Sequence, residues 1–73
     1  MVLIPKSPKN PGYVFEFKKI DEVDKETLEQ AAQIALAQIE EKNYEQELVA
    51  RGVTKIIKLG IAFKGKQALI ITE

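Results

Sequence analysis

The stretch Ile56-Ile57-Lys58-Leu59-Gly60-Ile61-Ala62-Phe63 leaves few choices of architecture. Read as a strand from Lys55 to Phe63, it puts Ile57, Leu59, Ile61 and Phe63 on one side and Ile56, Gly60 and Ala62 on the other, because side chains alternate across a strand. Apolar or small residues on both sides are what a strand covered on both faces requires. Such a strand needs partners along its edges and elements above and below. Lys64-Gly65-Lys66 behind it reads as a tight turn, and Gln67 to Thr72 returns as the last strand.

The rest of the chain supplies candidate partners. Val2-Leu3-Ile4 is a short β-prone run that stops at Pro5. From Pro5 to Gly12 the chain carries three prolines and a glycine, which excludes helix and sheet interior, and Pro11-Gly12 is a turn signal. Tyr13 to Ile20, rich in aromatic and β-branched residues, reads as a strand, and the first run pairs with it as a hairpin across the proline loop.

Asp24 is the expected N-cap of a helix, with Val23 and Leu28 as its hydrophobic staple and Glu26 and Glu29 in the first turn. Leu28, Ala32, Ala35 and Ile39 make one apolar stripe. They predict a helix from about Lys25 to about Lys42 that lies close to a sheet through its alanines. Asn43 permits a break, Tyr44 to Ala50 makes a second short helix, and Arg51-Gly52 ends it. The order is β-β-α-(α)-β-β. This is an α/β chain of the α+β kind: a mixed sheet of about four strands with one main helix packed on it, forming a single domain over 1–73.

Composition removes whole classes of chemistry. The chain has no histidine and no cysteine, so a Ser-His-Asp or Cys-His enzyme, a thiolate metal site and a disulfide are all excluded. Lysine plus arginine balances aspartate plus glutamate at 11 each, so no basic footprint announces nucleic acid by composition alone. The charges are uneven. Lys6, Lys9, Lys18 and Lys19 face a single Glu16 in the N-terminal part; Asp21 to Glu47 is acid-rich; Lys55, Lys58, Lys64 and Lys66 make the end basic again. Bringing the two basic ends together would give a basic face beside an acidic helix. No apolar run approaches the roughly 20 residues of a membrane span, and the cytoplasm is the expected location. A chain of 73 residues has a limited core. The apolar strands are therefore expected to self-associate as a homodimer.

One constellation carries chemistry. In the Tyr13–Ile20 strand, Val14, Glu16, Lys18 and Ile20 share a face, while Tyr13, Phe15, Phe17 and Lys19 share the other. Glu16 and Lys18 are then neighbours, roughly 7 Å apart at Cβ, on a face that is half apolar. A carboxylate there can bind a hard cation such as Mg²⁺, and an ammonium beside it can orient a water or stabilise charge on a phosphate. The plain alternative is a surface ion pair worth ~0–1 kcal/mol.

The surroundings of Glu-x-Lys favour the chemical reading. Val2-Leu3-Ile4-Pro5-Lys6 followed by Pro11-Gly12-Tyr13-Val14-Phe15-Glu16-Phe17-Lys18 resembles the PD-(D/E)XK nuclease-like domains found C-terminal to AAA-ATPase-like regions in bacterial proteins. The alanine-rich helix running into Gln38-Ile39, the segment Lys42-Asn43-Tyr44 and the late strand Ile56 to Phe63 resemble the same family, so the likeness covers nearly the whole chain. It implies a partial restriction-endonuclease-like fold. It also implies Mg²⁺-dependent phosphodiester hydrolysis of nucleic acid in the intact protein. Glu16 matches the metal-binding acid, Lys18 the catalytic lysine, and the Phe17 backbone carbonyl a further metal ligand. Gln38 and Tyr44 resemble a glutamine and a tyrosine near the active site of related nucleases. Gln38 is taken as catalytic, whereas Tyr44 is read as a core or capping aromatic.

The departure is at the start: no Asp or Glu precedes Glu16, and the family's first acid would fall at Met1 or before it. The chain therefore reads as the C-terminal part of a larger nuclease-like domain with an ATPase-like region upstream. On this reading it supplies the Glu-x-Lys half of the site and is inactive alone. The competing reading is a non-catalytic α/β interaction or dimerisation module.

Overall fold

In the computed structural model, which describes residues 1–73, the chain forms β1 (Val2–Leu3), β2 (Gly12–Ile20), α1 (Leu28–Lys42), α2 (Gln46–Ala50), β3 (Ile56–Lys64) and β4 (Gln67–Thr72). The spatial order of the single sheet is β1-β2-β3-β4. β1 and β2 are antiparallel across the proline loop, with Val2 opposite Val14. β2 and β3 are parallel, because the connection between them runs through both helices and returns the chain to the starting end of the sheet. β3 and β4 form an antiparallel hairpin, with Lys64 opposite Gln67. Its two-residue turn opens at Gly65, whose φ of 58° suits glycine.

α1 lies across one face of this mixed sheet. Its buried residues are Ala31, Ala32, Ala35, Leu36 and Ile39, so the expected stripe is wider by Ala31 and Leu36, with Leu28 half-buried at its start. Two clusters fill the space beneath it. Val14, Leu36, Ile39, Leu48 and Val53 pack at one end; Ile20, Ala31, Ala32 and Ala62 pack at the other. Between them Gly60 lets the helix backbone come down onto β3. A Cβ there would overlap the Ala32 carbonyl oxygen and come within 2.9 Å of Leu36 Cγ and 3.0 Å of the Leu36 nitrogen.

Two expectations need correction. Asp24 is not the N-cap. Thr27 is: its hydroxyl accepts from the Gln30 N–H at 3.1 Å, and the Gln30 side chain accepts from the Thr27 N–H at 3.0 Å. This is a reciprocal capping box, and it starts the helix at Leu28 rather than Lys25. Val23 is 91% exposed and staples nothing. The preceding segment is tied down instead. Lys64 Nζ donates to the Asp24 carbonyl at 2.9 Å and to the Glu26 carbonyl at 3.3 Å. Removing the cap by Thr27→Ala should cost about 1 kcal/mol; a urea midpoint unchanged within error would show that the box contributes nothing.

The second correction concerns coverage. β3 is not covered on both faces. Ile56, Lys58, Gly60, Ala62 and Lys64 pair in register with Gly12, Val14, Glu16, Lys18 and Ile20, and this is the side facing α1. On the other side Ile57, Leu59 and Ile61 are only half-buried and Phe63 is exposed, because no element of the chain crosses that face. Tyr13, Phe15 and Phe17 of β2 lie on this open side too. The rings of Phe17 and Phe63 stack there with centroids 5.9 Å apart, and Phe15 meets Phe17 edge-on at 5.5 Å.

Candidate active site

β2 alternation puts Glu16 and Lys18 on the α1 side of the sheet, between the buried Val14 and Ile20. Across the parallel register their neighbours on β3 are Gly60 and Ala62. Neither has a side chain long enough to screen them, so both charged groups extend along the flank of the helix and find partners there.

Glu16 finds Lys42 and Tyr44. Lys42 Nζ donates to Glu16 Oε2 at 3.0 Å, and the Tyr44 hydroxyl donates to the same oxygen at 3.3 Å. The local chain explains the convergence. Lys42 is the last residue of α1, and Asn43 takes the left-handed conformation at φ 55° while its N–H bonds back to Ile39 and Glu40 carbonyls. That reversal folds Tyr44 beneath the helix end, with the Lys42 ammonium 5.7 Å from its ring centroid. Burial alone would favour the neutral carboxyl of Glu16. The hydrogen-bonded Lys42 ammonium, helped by Tyr44 and the N-terminal ammonium, outweighs burial and holds its pKa below the ordinary value. The Glu16 hydrogen bond in turn raises the pKa of Lys42.

Lys18 takes a different partner. Its Nζ lies 2.9 Å from Glu26 Oε1. Glu26 stands just before the Thr27 cap, not within the helix where the sequence placed it. Gln38 is half-buried on α1, one turn before Lys42 and hence on the same flank that reaches Glu16; it makes no side-chain hydrogen bond. Lys58, opposite Val14, is ion-paired with Glu40, with Glu45 at 3.5 Å and with Glu73 at 3.6 Å. The expected basic face therefore does not form on this side, since Lys18 pairs with Glu26 and Lys58 with Glu40, Glu45 and Glu73.

Glu16 borders an open edge. The Met1 backbone exchanges hydrogen bonds with Phe15, each at 2.8 Å, and no residue beyond that pair faces Glu16 or Phe17. The Phe17 carbonyl points the same way as that of Phe15, so it lies on this unpaired edge. Continuing the β1 register by one residue ahead of Met1 would set a side chain opposite Glu16, on its own face of the sheet.

The residues present do not form a seat for a divalent ion. No three acidic side chains gather anywhere in the chain in a metal-holding arrangement. Glu16 already has an ammonium on one oxygen. Glu22 is held away from it, beside Gly65 at the β3–β4 turn. The sequence reading did not include Lys42 or Glu26 in the site and read Tyr44 as a structural aromatic. Tyr44 does pack against the core, and it also reaches Glu16. The available signal was the Lys42-Asn43-Tyr44 segment itself, in which an Asn able to turn left-handed stands between a cation and a hydroxyl.

Among known proteins, the family model of the PD-(D/E)XK nuclease superfamily matches residues 1–73. No curated protein and no solved structure matches the chain. With the model spanning the chain end to end, and Glu16 and Lys18 side by side beneath the helix, the chain belongs to the PD-(D/E)XK nuclease superfamily.

Proposed function

We propose that this chain is the C-terminal part of a nuclease domain that hydrolyses phosphodiester bonds in nucleic acid with Mg²⁺ when intact. In that role it supplies Glu16 as a metal-binding acid, Lys18 as the catalytic lysine, the Phe17 carbonyl as a further ligand and Gln38 at the margin of the site. The observation that carries the reading is the placement of Glu16 and Lys18 together on the α1 face of β2, within a chain of this superfamily. An AAA-ATPase-like region upstream in the same polypeptide and a cytoplasmic setting belong to the same proposal. No helix is long and apolar enough to cross a membrane.

A lone carboxylate leaves Mg²⁺ largely water-bound. The 73-residue chain is therefore expected to leave DNA and RNA uncut and to bind Mg²⁺ no tighter than millimolar by titration calorimetry. Continuing the β1 register ahead of Met1 would bring a residue opposite Glu16, which supports placing a second acid there. A chain extended by one aspartate ahead of Met1 should bind Mg²⁺ at least about tenfold more tightly, since opposed carboxylates can share one ion, and Glu16→Ala should remove the gain. An extension that changes nothing would place the second acid elsewhere. Mg²⁺-dependent cleavage by the unextended chain, abolished by Glu16→Ala, would mean that a carboxylate such as Asp21 already serves. A non-catalytic interaction module is the second reading, and the uncovered apolar face of the sheet favours it.

A further inference from the structure

β4 is an unguarded edge. It ends the sheet, and no element of the chain pairs beyond it. Its pairing with β3 runs unbroken from Lys64 opposite Gln67 to Leu59 opposite Thr72, so no bulge turns the edge away. Gln67 to Thr72 holds no proline and no charged residue, the devices with which edge strands commonly refuse a further strand. The direction of its free backbone groups follows from the turn. The two-residue connection makes Lys64 and Gln67 a hydrogen-bonded pair, and the Glu73 N–H reaches the Lys58 carbonyl at 3.2 Å in the same phase. Gln67, Leu69, Ile71 and Glu73 therefore bond inward to β3. Ala68, Ile70 and Thr72 turn their N–H and C=O groups outward, and all three are exposed. The opposite edge differs: β1 and Met1 occupy part of it, and the open remainder carries Lys18 and Lys19.

We infer that β4 pairs antiparallel with β4 of a second copy, joining the two sheets edge to edge into one. The charges at its ends select this partner and this direction. Lys66 precedes the strand and Glu73 follows it, both exposed. Two copies laid parallel set like charge beside like. Laid antiparallel about Ile70, they bring each Lys66 beside the partner's Glu73, and all three outward-turned residues find backbone partners at once. Ala68 then lies opposite Thr72, Leu69 opposite Ile71, and Ile70 opposite itself. Leu69 and Ile71 already pack against the core under α1, so the joint extends both cores toward each other. Directly opposed residues face the same side of a sheet; both helices therefore lie on one side, and the two open apolar faces lie side by side on the other. A six-residue edge buries less than the about 800 Å² per partner of a standard interface, so this contact is a weak one that forms well above micromolar concentration.

The test uses the chain carrying Phe17→Thr and Phe63→Thr, which lacks the stacked pair of the open face, so that association through that face does not enter. Amide hydrogen exchange is followed from about 10 µM to about 1 mM. The Ala68, Ile70 and Thr72 amides should become at least about fivefold more protected at the upper concentration, while the Lys19 amide on the opposite edge should not change. Ile70→Lys, at a position already 59% exposed, sets two ammonium groups opposite each other and should abolish the gain, whereas Ile70→Thr should keep it. Lys66→Glu should weaken the association about threefold, and adding Glu73→Lys should restore it, because the swapped charges face each other again only in the antiparallel arrangement. Protection at Ala68, Ile70 and Thr72 that does not depend on concentration would overturn the pairing. A gain that survives Ile70→Lys would place the contact elsewhere and overturn it too. Failure of the charge swap to restore what Lys66→Glu removes would overturn the antiparallel self-pairing.

Discussion

Gly60→Val should leave the chain largely unfolded at 25 °C. Gly60 is fully enclosed beneath α1, and even a bare Cβ would overlap the Ala32 carbonyl oxygen and crowd the Leu36 backbone nitrogen at 3.0 Å. These are helix backbone atoms, so no rotamer change relieves the overlap; the whole helix must lift from the sheet. Lifting it opens both clusters at once, since Leu36 belongs to one and Ala32 to the other. Overpacking in a tight core commonly costs about 1–3 kcal/mol and occasionally more. A chain of this size has roughly 3–5 kcal/mol to lose. Circular dichroism and urea unfolding report the result directly. A Gly60→Val chain with native ellipticity and an unshifted urea midpoint would mean that α1 does not sit as close to β3 as described. Gly60→Ala adds that same Cβ and should already be strongly destabilised, less than Gly60→Val only by the two further methyl groups.

The second large effect concerns the open side of the sheet. At micromolar concentration the chain is expected to sediment as a dimer, with a second copy covering that face. Leu3, Phe17, Phe63 and Ile70 are substantially exposed on it, with Tyr13, Phe15, Ile57, Leu59 and Ile61 half-buried between them. Lys19 is the one charged residue that β2 and β3 place there. The face is roughly 30 Å long at about 3.3 Å per residue and about 15 Å across four strands. Its footprint is of the order of 450 Å² before side-chain relief is counted. A standard interface buries about 800 Å² of accessible surface per partner, and a patch of this size is comparable to the largest apolar patch of a typical monomer, which is often functional. An isologous contact on this face alone would be small beside a standard interface, and side-chain relief and neighbouring loops would have to add to it. Phe17→Thr with Phe63→Thr removes the stacked aromatic pair from this face while keeping β-prone residues, and should return the monomer mass. Sedimentation equilibrium showing a clean monomer for the unmodified chain, with cooperative thermal unfolding, would sink the proposal and leave the face free for a different partner.

Much of the architecture was legible from local pattern. The Pro5–Gly12 loop flanked by two β-prone runs gave the hairpin, and the return across Gly65 gave the last strand, because turn chemistry is written into a few residues. The apolar stripe gave α1 and the face it buries. The helix start was also legible, in Thr27-x-x-Gln30, but Asp24 offers an equally good capping residue in isolation. What decides between them is that the Asp24 and Glu26 carbonyls are engaged by Lys64, 40 and 38 residues away.

The sequence by itself determined that Glu16 and Lys18 share one face of a strand, since alternation is a property of the local backbone. It also determined that no histidine or thiolate could act beside them. Tertiary structure alone decided what those two groups touch. Lys42 and Tyr44 reach Glu16 across 26 and 28 residues only because α1 runs back along β2 and reverses at Asn43. Tertiary structure also decided which side of β3 is bare. A strand apolar on both sides states that both should be covered, but whether this chain covers them depends on how many elements pack above and below the sheet. Here both helices follow β2 and lie on one side, so the other side keeps its apolar surface.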